Sequence, residues 1–193
     1  MSEIDCVNDM LLLIGEAPVV TLDDLTFAEA SIAHRMLLKE SLDFQQGGAY
    51  WNTTFVTLSP TVDGFIYCPE GTLRMDPVDI GSYYMKVGNR LYDTENNTFV
   101  IPDAVEVEII QYKAWDEIPE VVRSYLTIKA ARKFATRLRP DRVKLGYTQQ
   151  EELEAKAAVM SDEAAHSDST VWDNWASEDT LDKTRNPVRR RLW

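Results

Sequence analysis

Ile4-Asp5-Cys6-Val7-Asn8-Asp9-Met10-Leu11-Leu12-Leu13-Ile14-Gly15-Glu16-Ala17-Pro18 is the stretch on which the reading of the fold turns. Ile4, Val7, Leu11 and Ile14 recur at spacings of three and four, which puts them on one helical stripe. Gly15 takes a left-handed helix stop without steric cost, and Pro18 forbids the helix from resuming. A short amphipathic helix with one buried face follows, the first stave of a helical bundle. It carries no chemistry of its own.

The same logic extends along the chain. A second helix is predicted from a capping box at Thr26 with Glu29 to about Gln46, where Gly47-Gly48 ends it. Ala30, Ala33, Leu37 and Phe44 mark its buried side, while Arg35, Lys39, Glu40 and Asp43 suit solvent or a neighbour. From Tyr50 to Tyr112 short apolar runs alternate with turn residues, and six of the eight tyrosines lie here, as half-buried strands favour. Strands are predicted at Thr53 to Leu58, on either side of the Pro69-Glu70-Gly71 turn (Phe65 to Cys68 and Thr72 to Met75), and at Tyr83 to Val87, Arg90 to Tyr92 and Thr98 to Ile101. Val105, Val107 and Ile109 alternate with Glu106 and Glu108, the pattern of a strand with one wet face. The connections at Pro60 to Gly64 and Asp76 to Gly81 are candidate contact loops. A third helix begins near Pro119 with the face Val122, Tyr125, Leu126, Ala130, Phe134 and Leu138, and stops at Arg139-Pro140. A fourth starts from the capping box Thr148 with Glu151 and runs to about His166.

The fold class expected is α+β: an antiparallel bundle of about four helices, an inserted small antiparallel β subdomain, and an extended C-terminal arm. The boundaries are a helix pair over residues 1–48, the β subdomain over 49–115, a second helix pair over 116–167 and the arm over 168–193. A chain of 193 residues is long enough to bury roughly 70% of its unfolded surface. Its formal net charge of −12 argues against adhesion of the whole protein to nucleic acid or an anionic membrane. Cys6 and Cys68 have no metal-site spacing and read as reduced, buried thiols. No apolar stretch approaches the ~20 residues that cross a bilayer, and Glu3 and Asp5 stand where a signal peptide carries basic residues. The expectation is therefore a protein made in a cytoplasm, with no membrane partner.

Charge divides unevenly between the last two helices. The third carries Arg123, Lys129, Arg132, Lys133, Arg137 and Arg139, the fourth Glu151, Glu152, Glu154, Asp162 and Glu163. One reading makes the third helix a nucleic-acid patch. The other makes the two helices a hairpin with complementary faces, or partners across a subunit boundary. The tail holds Trp172, Trp175 and Trp193 and ends in a basic run containing Arg189, Arg190 and Arg191. Tryptophan and arginine are enriched at binding hot spots, so an arm that orders on another protein is one reading. Folding back of the tryptophans onto the same domain, with the basic end solvated, is the other.

Catalytic signatures are missing from the sequence. It has no Gly-rich phosphate loop, no Gly-x-Ser-x-Gly elbow and no His-Glu-x-x-His, and His34 and His166 lack partner spacing. No catalytic residue, cofactor or metal ligand is assigned. A glycan-degrading enzyme using paired carboxylates is the enzymatic alternative, since spatial pairs of acids leave no spacing signature.

The opening phrase, and more specifically Tyr112-Lys113-Ala114-Trp115-Asp116-Glu117-Ile118-Pro119-Glu120 followed by Tyr125 and Lys129-Ala130-Ala131-Arg132-Lys133-Phe134, resembles the tail tubular protein A family of short-tailed bacteriophages. Ala28 to Leu37 and Tyr50-Trp51-Asn52-Thr53-Thr54-Phe55 are similar to that family's second helix and first strand. The resemblance covers residues 4 to 166 and stops short of Trp172. It implies a structural virion protein of the tail, assembled in the host cytoplasm as a homo-oligomeric ring of twelve. That ring is a head-tail adaptor joining the portal protein to the tail nozzle protein, and genomic DNA passes through it during ejection without sequence-specific binding. The interface residues expected are Arg123, Lys129, Arg132, Lys133, Glu151, Glu154, Trp172, Trp175, Arg189, Arg190, Arg191 and Trp193.

Overall fold

The computed structural model describes residues 1–22, 27–79, 83–138 and 147–175, with residues 167–175 described by their backbone alone. Within these the chain runs α1 (Glu3–Ile14), α2 (Ala28–Gln45), β1 (Thr53–Leu58), β2 (Thr72–Pro77), β3 (Tyr84–Val87), β4 (Arg90–Asp93), β5 (Val105–Gln111), α3 (Glu120–Leu138) and α4 (Gln149–Trp175). The α+β class expected from the sequence is the class observed.

The opening phrase folds as its period requires. Val7, Leu11 and Ile14 are buried, joined by Cys6 and Met10, with Ile4 packed at the edge. Gly15 adopts φ +81°, and its N–H reaches back to the carbonyls of Leu11 and Leu12. A capping box unnoticed in the sequence starts this helix: Ser2 Oγ accepts from Asp5 N–H, and Asp5 accepts from Ser2 N–H. The returning chain is tied by Asn8, whose amide donates to Val19 O at 3.0 Å and accepts from Val19 N–H at 2.8 Å.

The second helix differs from its expected start. It begins at Ala28 with Phe27 at the N-cap and no side-chain cap, and Thr26 lies outside the described residues. Glu40, expected toward solvent or a neighbour, is only 5% exposed. In α3 the predicted face is buried from Val122 through Phe134, with Leu138 partly so. Pro119 O accepts from the N–H groups of Val122 and Arg123, both at 3.0 Å, while Arg139 and Pro140 lie outside the described residues. The Thr148–Glu151 box opens α4 as expected. That helix does not stop near His166 but continues to Trp175, because no Gly or Pro interrupts the stretch and each added residue extends an existing helix.

Helices α1, α2 and α3 pack on one another, and α4 lies against α3. Their shared core contains Leu11, Leu37, Leu126 and Phe134. Each fully buried side chain of this kind stabilises the fold by about 1.5–3 kcal/mol. A second core, formed by Ile66, Met75, Leu91, Ile101, Val107 and Ile109, lies under the strands.

Strand β5 is the centre of a three-stranded antiparallel sheet ordered β1-β5-β2, and β3 and β4 form a separate hairpin. Gly88 turns that hairpin at φ +63°. Phe65 to Cys68 and Thr98 to Ile101, both expected as strands, make only single bridges, Phe65 with Val100, Tyr67 with Arg90 and Thr98 with Asp93. The reason is long-range: β2 takes β5 as its partner and leaves the segment before the Pro69-Glu70-Gly71 turn without a ladder. Of the two expected contact loops, Val62 in the first is fully exposed. The second begins inside β2, with Asp76 and Pro77, and its end at Gly81 lies outside the described residues.

Bundle and sheet meet at a buried amide network. Gln45 Oε1 accepts from Lys113 N–H at 2.7 Å, and its Nε2 donates to Lys113 O and to Ser41 Oγ, each at 3.0 Å. Asn52 donates to Gln45 O at 3.0 Å and to Gln111 O at 3.2 Å, and accepts from Ala49 N–H at 2.8 Å. Between them Gly48, at φ +78°, passes so close to Ile110 that an added Cβ would lie 2.7 Å from its Cδ1. Gln45→Ala is expected to destabilise the fold by about 1–3 kcal/mol, since it strands the Lys113 backbone groups in a buried site. Urea unfolding followed by circular dichroism measures it.

Candidate interaction surfaces

The basic third helix is used within the protomer. Glu40, on α2, receives Lys133 Nζ at 2.6 Å and Lys129 Nζ at 3.2 Å. Arg132 pairs with Glu152 of α4. Arg123 pairs with Glu120 at 2.8 Å and lies 3.8 Å from Asp116. The opposed charges of α3 and α4 thus meet at Arg132, while the two lysines turn to α2, a partner that helix-by-helix charge counting did not identify. Burial by itself raises the Glu40 carboxyl, but Lys133 and Lys129 together hold it below the ordinary glutamate value. Burial likewise works against Lys129, and Glu40 more than offsets it, so its ammonium is held above the ordinary lysine value.

Of the acidic candidates, Glu151 closes the α4 cap and Glu154 is exposed. Trp172 and Trp175 fall on the last turns of α4, where only the backbone is described, and Arg189, Arg190, Arg191 and Trp193 lie outside the described residues. The sequence reading missed a larger feature of α4. Val159 is buried and Ala155 packs against the core, but Leu153 is 54% and Met160 56% exposed, with Ala157 and Ala164 exposed in line with them. The spacing 153, 157, 160, 164 is a heptad-like stripe on the outer side of the helix. The stripe has a helical period, but the low mean hydropathy of the segment masks it.

Farther along, α4 is clamped to the loop before β1. The Tyr50 ring stacks on His166 with centroids 3.9 Å apart and planes 4° apart. Its hydroxyl donates to Asp162 Oδ2 at 3.0 Å, and its N–H donates to Glu163 Oε1 at 3.1 Å. Burial, reinforced by Asp162, pushes the Tyr50 phenol up to about 12. Burial also pushes the Cys6 thiol up to about 11, which keeps it protonated and unreactive.

No group of three or more His, Cys, Asp or Glu among the described residues is placed to hold a metal ion. An open depression of about 570 Å³ lies beside Cys68, Glu70, Lys86 and Tyr112, but Lys86 is committed to Thr72 O at 2.6 Å.

The sequence profile described as tail tubular protein matches residues 4–169, from the first turn of α1 through both sheets and α3 into α4. The chain belongs to the tail tubular protein family. It is accordingly a structural protein of the phage tail. Over 120 residues it is 25% identical to the tail tubular protein A of Klebsiella phage KP34, covering 62% of this chain and 64% of that one. The match thus spans just under two thirds of the relative's length.

The Glu40 cluster yields a pH dependence. A carboxyl held below 4.5 in the fold contributes stability that is fully present above that value and is lost as pH falls through its folded value. Lys129, held above 10.5, contributes stability that is present below that value and is lost as pH rises through its own folded value. Stability is expected to fall on acidification below about pH 4.5, and Glu40→Gln is expected to flatten that limb. At neutral pH the same variant should cost about 1–3 kcal/mol, limited because Lys133 can turn to water. Thermal melts across pH measure both.

Proposed function

We propose that this protein is the adaptor ring of the tail, twelve copies closed around the DNA channel between the portal and the nozzle. The observation that carries the reading is the family match over residues 4–169, together with the relative named tail tubular protein A. Physical features of the chain support it. A closed ring needs two different, complementary patches on every subunit. The outer stripe of α4, with Leu153 and Met160, is one such patch, flanked by Glu151 and Glu154. The exposed apolar side chains Leu12, Val20 and Phe27, at the corner where α1 gives way to α2, offer another. The net charge of −12 suits a wall past which DNA slides without being held. In this reading the helices face the portal, the loops of the β region face the nozzle, and Trp172, Trp175 and Trp193 anchor contacts with a neighbour.

The test is assembly. Electron microscopy and native mass spectrometry of the protein, alone and mixed with the portal, are expected to show rings. The double substitution Leu153→Asp with Met160→Asp should leave the helical circular dichroism unchanged and abolish the rings. Monomers in every mixture would sink the proposal.

A further inference from the structure

Strand β1 is an edge, and its free side can be read from two hydrogen bonds. Gln111 N–H donates to Asn52 O at 2.9 Å, which makes the pair formed by residues 52 and 111 a hydrogen-bonded one. In an antiparallel ladder such pairs alternate, so Thr54, Val56 and Leu58 bond β5 while Phe55 and Thr57 direct their N–H and C=O groups away from it. Val78 N–H donating to Glu106 O at 3.0 Å confirms the phase, because the even residues of β5 then face β2. Among the described residues nothing bonds the outward groups of Phe55 and Thr57.

This edge lacks the usual protections. Thr53-Thr54-Phe55-Val56-Thr57-Leu58 holds no lysine, no proline and no other charge. Its register against β5 runs without a shift, whereas β2 is bulged between Thr72 and Arg74. Native sheets avoid an edge of this kind unless another strand, a helix or a loop covers it. The face beside it carries carboxylates: Phe55, 54% exposed, stands next to Glu108 and Thr57 next to Glu106, while Asp76 beyond Glu108 is paired with Arg74 at 2.7 Å. An added strand would run about 4.8 Å from β1 and about twice that from β5, within reach of an arginine leaning across Thr57 or over the Phe55 ring.

The geometry points to one occupant, residues 187–193 of a second copy of this chain, added to β1 as an extended strand. Pro187-Val188-Arg189-Arg190-Arg191-Leu192-Trp193 has the length of the edge and begins with a proline, which strands accept at their first position. Alternation sends Arg189, Arg191 and Trp193 to the side of Glu106, Glu108 and Phe55, and Val188, Arg190 and Leu192 to the side of Val56 and Leu58, where the long Arg190 stem can carry its charge out to solvent at the open edge. Main-chain bonds supply the affinity and the alternating side chains the register. The inference rests on the reading that copies of this chain assemble, and it adds which segment of one copy meets which strand of the next.

Residue-resolved hydrogen exchange tests it on the full-length chain. Exchange at Phe55 and Thr57 should slow by about tenfold or more as the protein is concentrated, while Thr54, Val56 and Leu58 stay protected throughout. The variant Arg189→Glu with Arg191→Glu should lose the added protection. The same variant, isotope-labelled and mixed with unlabelled wild type, should regain it, because the wild-type segment is donated from another chain. Thr57→Pro removes only an outward N–H, so it should keep the fold and lose the protection at Phe55. Protection that is independent of concentration would assign the strand to the same chain and overturn the proposal. Rings that form while Phe55 and Thr57 exchange freely would overturn it and leave the adaptor reading standing. Chains that remain monomeric at every concentration and with the portal, with no slowing at either amide, would overturn both.

Discussion

Much of this structure hangs on the side-chain amide of Gln45. It is fully buried at the last turn of α2 and bonds both the N–H and the C=O of Lys113, two residues past the end of β5. Asn52, buried beside it, bonds Gln45 O and Gln111 O and so fixes the chain entering β1. Two amide side chains thereby do for the junction what a ladder does within a sheet. They satisfy backbone groups that would otherwise be orphaned where helix gives way to strand. A fully paired buried network of this kind has few alternative arrangements, so it sets the angle between bundle and sheet as well as joining them.

With that junction set, the charges sort themselves. Glu40 lies where two lysines of α3 can reach it, and Arg132 finds Glu152 on α4. Of the cations that looked like a nucleic-acid surface, Arg123, Lys129, Arg132 and Lys133 are engaged inside the subunit, while Arg137 is exposed. Exposed apolar or aromatic side chains lie on the long helix α4, at the corner between α1 and α2, on the free strand β1 and around the β3–β4 hairpin. For a structural protein of the tail this is a sensible division. Ion pairs set the register of the helices, and the surfaces left over are those that desolvate cheaply against another chain.

The helices were the legible part. The stripe of α1, the face of α3 and the Thr148–Glu151 cap all rest on interactions within four residues of one another, which a single sequence displays. The alternation of β5 was legible for the same reason, since one buried face writes a period of two. Partners were not. Lys129 and Lys133 meet a residue about ninety positions earlier, and β5 inserts itself between β1 and β2, which precede it by long stretches of chain. Phe65 to Cys68 shows the cost of reasoning locally, because its composition suits a strand yet its neighbour across the turn pairs elsewhere.

By itself the sequence determined which segments are helical, where α1 stops and α4 starts, the buried faces of α1 and α3, and the family to which the chain belongs. Each of these depends on residue spacing or residue identity along the chain. Only the tertiary structure decided that Glu40 is a buried hub, that Gln45 and Asn52 join the bundle to the sheet, and that Phe55 and Thr57 present an open edge. Those outcomes depend on which distant groups share a dry environment. Burial is a property of the whole packed chain, and no local pattern records it.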